Sequence, residues 1–284
     1  MPKQHQPRSG SMQFWPRKRA KRSYARVRAW NKEGDAKPLA FAGYKAGMTH
    51  IMGIDNRKAS TKKGMEIPYP VTIIECPPMK IVSIRFYDRK GSDLFCAKEI
   101  FVGNDKALAR RLDMPKKVDK SDLDKINLED YEDITILVHT LPGMTGIGKK
   151  KPEVFEVHLG GKKEDKLAYV KQAEVFNVTD IFEEGDMVDA HAISTGKGYQ
   201  GPVKRFGIGL KSHKSEKGRR RPGSLGGWKG QQHFMYRAPM AGQMGYQQRV
   251  HYNSQVMKIG DKPEEINARG GFINYGMVKN PYML

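Results

Sequence analysis

Gly196-Lys197-Gly198-Tyr199-Gln200-Gly201 fits the G-x-G-x-x-G pattern, in which a glycine turn lets a pyrophosphate reach a helix N-terminus. That chemistry also needs a helix that continues and an acid about 20 residues on. Here the turn runs into Pro202-Val203-Lys204-Arg205-Phe206-Gly207, which is not the start of a sustained helix, and the nearest downstream acid is Glu216. We read a glycine-rich turn. Gly143-Met144-Thr145-Gly146-Ile147-Gly148-Lys149-Lys150 falls one residue short of a phosphate-binding loop. Lys150 stands where a Ser or Thr would hold magnesium, and Lys151-Pro152-Glu153-Val154-Phe155 begins a strand where a helix is required. The eight histidines form no H-E-x-x-H and no Cys/His cluster at ligand spacing, and there is no G-x-S-x-G elbow. The seven acids of 119–133 are spread like a solvated surface. No catalytic residue, metal site, cofactor or small-molecule substrate is assigned, and the chain is read as no enzyme.

The remaining chemistry is that of cations. Lys plus Arg number 51 against 31 Asp plus Glu, a net charge of +20 over 284 residues. Residues 1–35 carry +8 and residues 196–251 carry +11, leaving +1 for the rest. A nearly neutral body therefore bears two cationic segments, and an anionic partner is expected. Aromatics and prolines interleave with the charges, as in Phe14-Trp15-Pro16-Arg17-Lys18-Arg19 and Gly227-Trp228-Lys229. Arginine's planar fork suits phosphate and base stacking. The candidate contacts in the first segment are Arg8, Arg17, Lys18, Arg19, Lys21, Arg22, Arg26 and Arg28. In the second they are Lys197, Lys204, Arg205, Lys211, His213, Lys214, Lys217, Arg219, Arg220, Arg221, Trp228, Lys229, Arg237 and Arg249. Trp15, Trp228 and Tyr246 are candidate stacking platforms for unpaired bases. Between Lys211 and His233 the large apolar residues are Leu225 and Trp228 alone. Neither segment can bury a core by itself, so both are expected to be arms that order on a polyanion.

The elements that must carry these arms are short strands. Residues 36–54 read as two strands around a glycine-rich turn, and 55–65 as a Lys-rich loop. Strands are expected at Val71–Cys76, Ile81–Tyr87, Ile134–His139 and Val154–Leu159, with a helix at Lys106–Leu112 and a polar helix or loop at Asp119–Asp133. Strand texture returns at Val175–Val178, Met187–Ile193, Gln255–Gly260 and Gly271–Tyr275. This predicts a mainly β protein with an α+β insertion: a small β-barrel with a basic N-terminal arm and a long finger loop. The expected division is 1–35 arm, 36–94 first part of the barrel, 95–172 insertion, 173–195 and 252–284 remaining barrel strands, and 196–251 finger. Hydrophobic residues are 38% and no run approaches the ~20 apolar residues of a bilayer span, so no membrane partner is expected. Cys76 and Cys96 lack C-x-x-C spacing and read as reduced thiols of a cytosolic protein.

The arms also carry a likeness. His5-Gln6-Pro7-Arg8-Ser9-Gly10-Ser11 and Pro16-Arg17-Lys18-Arg19-Ala20 resemble the N-terminal tail of the large-subunit ribosomal protein family L-three. Ala42-Gly43-Tyr44-Lys45-Ala46-Gly47-Met48-Thr49-His50 resembles its first barrel turn, and the stretch from Thr195 to Gly207 its signature. Gly223-Ser224-Leu225-Gly226-Gly227-Trp228 and the stretch from Ala241 to Arg249 resemble its central loop, all in the family's order. The insertion resembles the archaeal and eukaryotic branch. The resemblance implies a non-catalytic cytoplasmic protein of the large ribosomal subunit. It would bind 23S-type rRNA near the 3′ end, act early in assembly, contact neighbouring ribosomal proteins, and send a tryptophan-tipped finger toward the peptidyl-transferase centre. Two departures stand out. Lys229-Gly230 occupies positions where many relatives have His or Asn and then Pro, and relatives continue past the equivalent of Leu284 with further barrel strand and basic sequence. An RNA-modifying enzyme with basic gripping arms is the alternative, but the near-miss motifs supply no cofactor pocket for it. A DNA-architectural protein has neither helix-turn-helix nor zinc finger in its favour.

Overall fold

A computed structural model describes residues 9–31, 33–115, 117–118, 120–225, 237–260 and, as backbone, 281–283. The chain divides into two compact units, residues 1–27 with 189–252 and residues 28–188 with 253–284. Each is described by itself.

The second unit is mainly β. Strands β1 (Tyr44–Ile54) and β2 (Glu66–Glu75) form a long antiparallel hairpin. The expected turn within 36–54 is instead one strand with a bulge between Lys45 and Gly47, a place where a glycine inside a strand is common. β2 starts earlier than its β-branched run because Pro68 and Pro70 lie within it. They are tolerated because, among the described residues, its far side pairs only at Ile73–Glu75, with Pro281–Met283.

Strand β3 (Met79–Lys90) anchors a second sheet. It turns through Gly91-Ser92, with Gly91 at φ +65°, into β4 (Asp93–Phe101), and on its other side pairs with β5 (Asp133–Thr140), which in turn pairs with β6 (Val154–His158). The short strand β7 (Val175–Phe176) adds at the start of β3. A bulge between Ile81 and Ser83 lets Met79, Ile81, Ile84 and Phe86 join one core while Val82 joins another with Leu108, Leu137 and Val154.

The first of these cores is closed by helix α1 (Lys163–Gln172), which contributes Leu167 and Val170. This helix was not expected, because its sequence shows only a narrow apolar stripe. The expected helix at Lys106–Leu112 is a 3-10 turn over Lys106–Arg110, and Asp119–Asp133 contains two further short 3-10 turns. The strands expected at 134–139 and 154–159 are present as β5 and β6. The strand expected at 271–275 lies outside the described residues.

The expected barrel is not closed among the described residues. The sheets are open in the order β1-β2-(281–283)-(258–259) and β4-β3-β5-β6, with β4 and β6 as the ends of the second and β7 beside the start of β3.

Several polar groups are buried inside this unit, among them Lys166, Asp133 and His139. Lys166, 4% exposed, donates to the Asp133 carboxylate at 2.7 Å, and Asp133 also caps the backbone N–H of Ile134 at 2.9 Å. Removing one partner of a buried pair leaves the other charge without compensation. Lys166→Ala is expected to cost about 3–5 kcal/mol in a denaturant melt.

His139 is buried; its Nδ1 meets the Thr140 carbonyl at 3.1 Å and its Nε2 lies 4.0 Å from Asp105. Burial holds its pKa below the ordinary value, against the opposing pull of the Thr140 carbonyl and Asp105. The unfolded chain therefore takes up a proton near pH 6.5 that the folded chain refuses. Stability should be full above that pH and fall as pH drops toward the lower folded value. His139→Gln should flatten that part of the stability–pH curve.

Candidate nucleic-acid interface

The first unit holds twenty Lys and Arg against two acids, Asp189 and Glu216. Strands β8 (Met187–Ile193) and β11 (Gln248–Gln255) pair with each other, and the chain on either side stays in register. Ser194 N–H donates to the Gln247 carbonyl at 3.0 Å, Tyr246 N–H to Ser194 at 3.0 Å, and Lys197 N–H to Met244 at 2.9 Å. Gly245 is required there. Its φ is +71°, and a Cβ would lie 2.0 Å from the Thr195 carbonyl oxygen. The strands β9 (Tyr199–Gln200) and β10 (Gly242–Gln243) extend this pairing.

After β9 comes α2 (Pro202–Phe206), one helical turn with Pro at its start and Gly207 at φ +68° as its stop. The G-x-G-x-x-G pattern thus leads into a helix of five residues, too short for a dinucleotide site.

Arg205 leaves α2 to clamp the return strand. Its Nε donates to the Gln243 carbonyl at 3.0 Å and its Nη1 to the Met240 carbonyl at 2.9 Å. Burial pushes its pKa below the usual value, but an arginine stays charged. Phe206 beside it is 7% exposed. Its cover comes from the N-terminal segment: the Arg17 guanidinium stands 4.2 Å over the ring and the Trp15 indole lies at 6.0 Å. Arg17 also donates to the Arg205 carbonyl at 3.0 Å. Further along, Ala20 N–H donates to the Tyr246 carbonyl at 2.7 Å, and Arg26 and Gln248 exchange hydrogen bonds of 3.1 and 2.7 Å. The Arg249 guanidinium stands 4.7 Å over Phe14.

Among the described residues, residues 10–26 of the first segment thus pack on Arg205, Phe206 and residues 246–249 of the second. Each supplies the apolar surface the other lacks, and they fold on one another.

This docking sorts the candidate contacts. Arg17, Arg205 and Arg249 are half-buried and donate to their own chain. Lys18, Arg19, Lys21, Arg22, Arg26, Lys197, Lys204 and Arg237 are exposed. So are His213, Lys214, Lys217, Arg219, Arg220 and Arg221, on a loop closed by Lys211 N–H donating to the Arg219 carbonyl at 3.1 Å and Arg219 Nε to the Lys211 carbonyl at 3.2 Å. Lys211 is half-buried. Arg28 is exposed and belongs to the other unit. Arg8, Trp228 and Lys229 lie outside the described residues.

Of the expected stacking platforms, Trp15 packs against Phe206, and Tyr246, at φ +50°, lies under Arg19 with 5.3 Å between guanidinium and ring. Sequence reasoning missed Tyr199 and Tyr252, which are 77% and 66% exposed among these cations. The glycine pattern drew attention away from Tyr199, which it contains. Among the described residues no three His, Cys, Asp or Glu gather as a metal site.

A fold of mostly short strands, with one unit this cationic and this poor in acids, has the profile of a ribonucleoprotein component. A family model described as Ribosomal protein L3 matches residues 1–284. The chain belongs to the ribosomal protein L3 family. It is 44% identical over 297 residues to the large ribosomal subunit protein uL3 of Methanothermobacter thermautotrophicus, covering 100% of this chain and 88% of that one. It is 42% identical over 289 residues to that of Methanocaldococcus jannaschii, covering 99% and 86%. Against that of Archaeoglobus fulgidus it is 42% identical over 292 residues, covering 99% and 87%. These L3 relatives are archaeal, in keeping with the branch the insertion resembles.

Phe206 is the residue on which this unit's assembly is most exposed to test. Phe206→Ala is expected to cost about 3–5 kcal/mol, and to speed tryptic cleavage at Arg17, Lys18, Arg19, Lys21 and Arg22. Unchanged cleavage would show that the ring does not hold the N-terminal segment.

Proposed function

We propose that this L3-family protein is a non-catalytic constituent of the large ribosomal subunit, working in the cytoplasm and binding 23S-type rRNA directly. The observation that carries this is the first unit, whose sequence holds twenty basic residues against two acidic ones and whose described residues set most of those cations on a folded scaffold. Folded RNA packs phosphates densely, and cations that enter it release condensed counterions. A preformed cationic surface binds such a target by shape and charge, with little base-specific code. The exposed Tyr199 and Tyr252 offer faces for unpaired bases.

The same proposal takes up what the family resemblance implies: attachment near the rRNA 3′ end, a role in nucleating subunit assembly, contacts with neighbouring ribosomal proteins, and a finger at 196–251 reaching toward the peptidyl-transferase centre. A β-barrel interrupted by the insertion belongs to it as well. The rival, an RNA-modifying enzyme, gains no support from α2, whose single turn follows the one glycine pattern that resembled a cofactor site.

The test is salt-dependent rRNA binding. With about ten phosphates neutralised, affinity for large-subunit rRNA should fall about 10³–10⁵-fold between 50 and 200 mM salt, on a log–log line. The native protein should sediment with large subunits and leave them only at high salt. A slope equal to one or two contacts, or sedimentation apart from the subunit, would overturn the proposal.

A further inference from the structure

The Lys-rich loop at 55–65 lies outside the cationic unit and has no part in the interface described so far. It is the tip of the β1–β2 hairpin, and it is built around one carboxylate. Asp55, 0% exposed, follows β1. Its Oδ1 accepts from the Arg57 backbone N–H at 3.1 Å and from Arg57 Nε at 2.9 Å; its Oδ2 accepts from Arg57 Nη2 at 2.8 Å and Ser60 Oγ at 2.6 Å. These bonds, Arg57's first, hold the carboxyl well below the usual carboxylate range. The backbone closes over it, with Asp55 N–H donating to Met65 at 3.0 Å, Gly64 N–H to Asp55 at 2.9 Å and Met65 N–H to Lys62 at 3.0 Å. Gly64 makes the return at φ +80°.

The consequence is an unbalanced tip. Asp55 is the one acid in 55–65, and it is committed to Arg57. Lys58, Lys62 and Lys63 are all exposed, and among the described residues none of the three forms an ion pair. The loop carries +3, whereas the whole unit of residues 28–188 and 253–284 carries +2. The tip is thus a cationic patch on an otherwise nearly neutral unit. The buried carboxylate holds these lysines on a fixed turn. Ammonium groups so placed suit phosphate oxygens, which lysine meets as a point charge without reading bases.

We propose that the tip of the β1–β2 hairpin is a separate contact to the phosphate backbone of large-subunit rRNA, made through Lys58, Lys62 and Lys63. The inference rests on the rRNA-binding role proposed above and adds a site in a second part of the chain.

The experiment compares the full chain with its Lys58→Gln/Lys62→Gln/Lys63→Gln variant, titrated onto purified large-subunit rRNA over a salt series. Each lost phosphate contact lowers the log–log slope by roughly 0.7–0.9, so a fall of about 2 is expected, with affinity at low salt dropping about 10- to 100-fold. The melting temperature should not move, because Asp55, Arg57 and Ser60 remain. A Lys37→Gln/Lys90→Gln/Lys98→Gln variant removes the same charge from exposed sites of that unit away from the tip and should keep the parent slope. A tip variant with the parent slope, or one no different from this control, overturns the inference while leaving the rRNA reading intact. Absence of salt-sensitive binding by the parent chain overturns both. Loss of binding to an acidic protein, with rRNA affinity unchanged, would likewise overturn it and assign the tip to a protein partner.

Discussion

The cationic unit depends on one aromatic ring. Phe206 is covered by Trp15 and by Arg17, and the residue beside it, Arg205, ties α2 to the return strand through two carbonyls. A ring face attracts guanidinium groups, and the attraction strengthens as they lose water. Charges that would repel one another in an open chain are thereby turned into packing. The arginines nearest the ring act on their own chain, and the lysines and arginines further out stay in solvent. A cationic surface can be held in shape only if some of its cations are taken out of it in this way.

The neutral unit solves the converse problem. Its sheet around β3 buries a row of Ile, Val and Phe side chains, and several of the polar groups that go in with them are paired. Asp133 meets Lys166, and the Tyr44 hydroxyl meets Thr140 Oγ1 at 2.8 Å. Burial raises the pKa of Tyr44 and of the Cys76 thiol, so both remain neutral in the interior. Such a core needs no nucleic acid to stay folded, which leaves the hairpin tip and the cationic unit free to serve as surfaces.

How much of this was legible in the sequence follows from the range of the interactions. Strands with β-branched runs, such as β5, announce themselves locally. Glycines do not, because the same residue type makes a bulge at Gly47 and a crossing at Gly245, and only the distant partner tells which. Helix α1 was hidden because its inner face mixes Leu167, Tyr169 and Val170 with the charged Lys166, which breaks the apolar stripe. The chemistry of the interface was readable as charge. Its division into buried and outward cations was not, since it turns on contacts such as Arg17 to Arg205, 188 residues apart. Trp15 and Tyr246 looked like free platforms because nothing near them in sequence shows what covers them.

That separation has a consequence for synthesis. The long-range partners of residues 10–26 run from Arg205 to Arg249, so the first cationic stretch leaves the translating ribosome long before the residues it packs against. At the usual elongation rate of about 5–20 residues per second, roughly 10 to 45 seconds pass before Tyr252 emerges. Through that interval a bare polycation stands in a cell crowded with RNA. Its first companions are set by the order of translation, before the fold can choose.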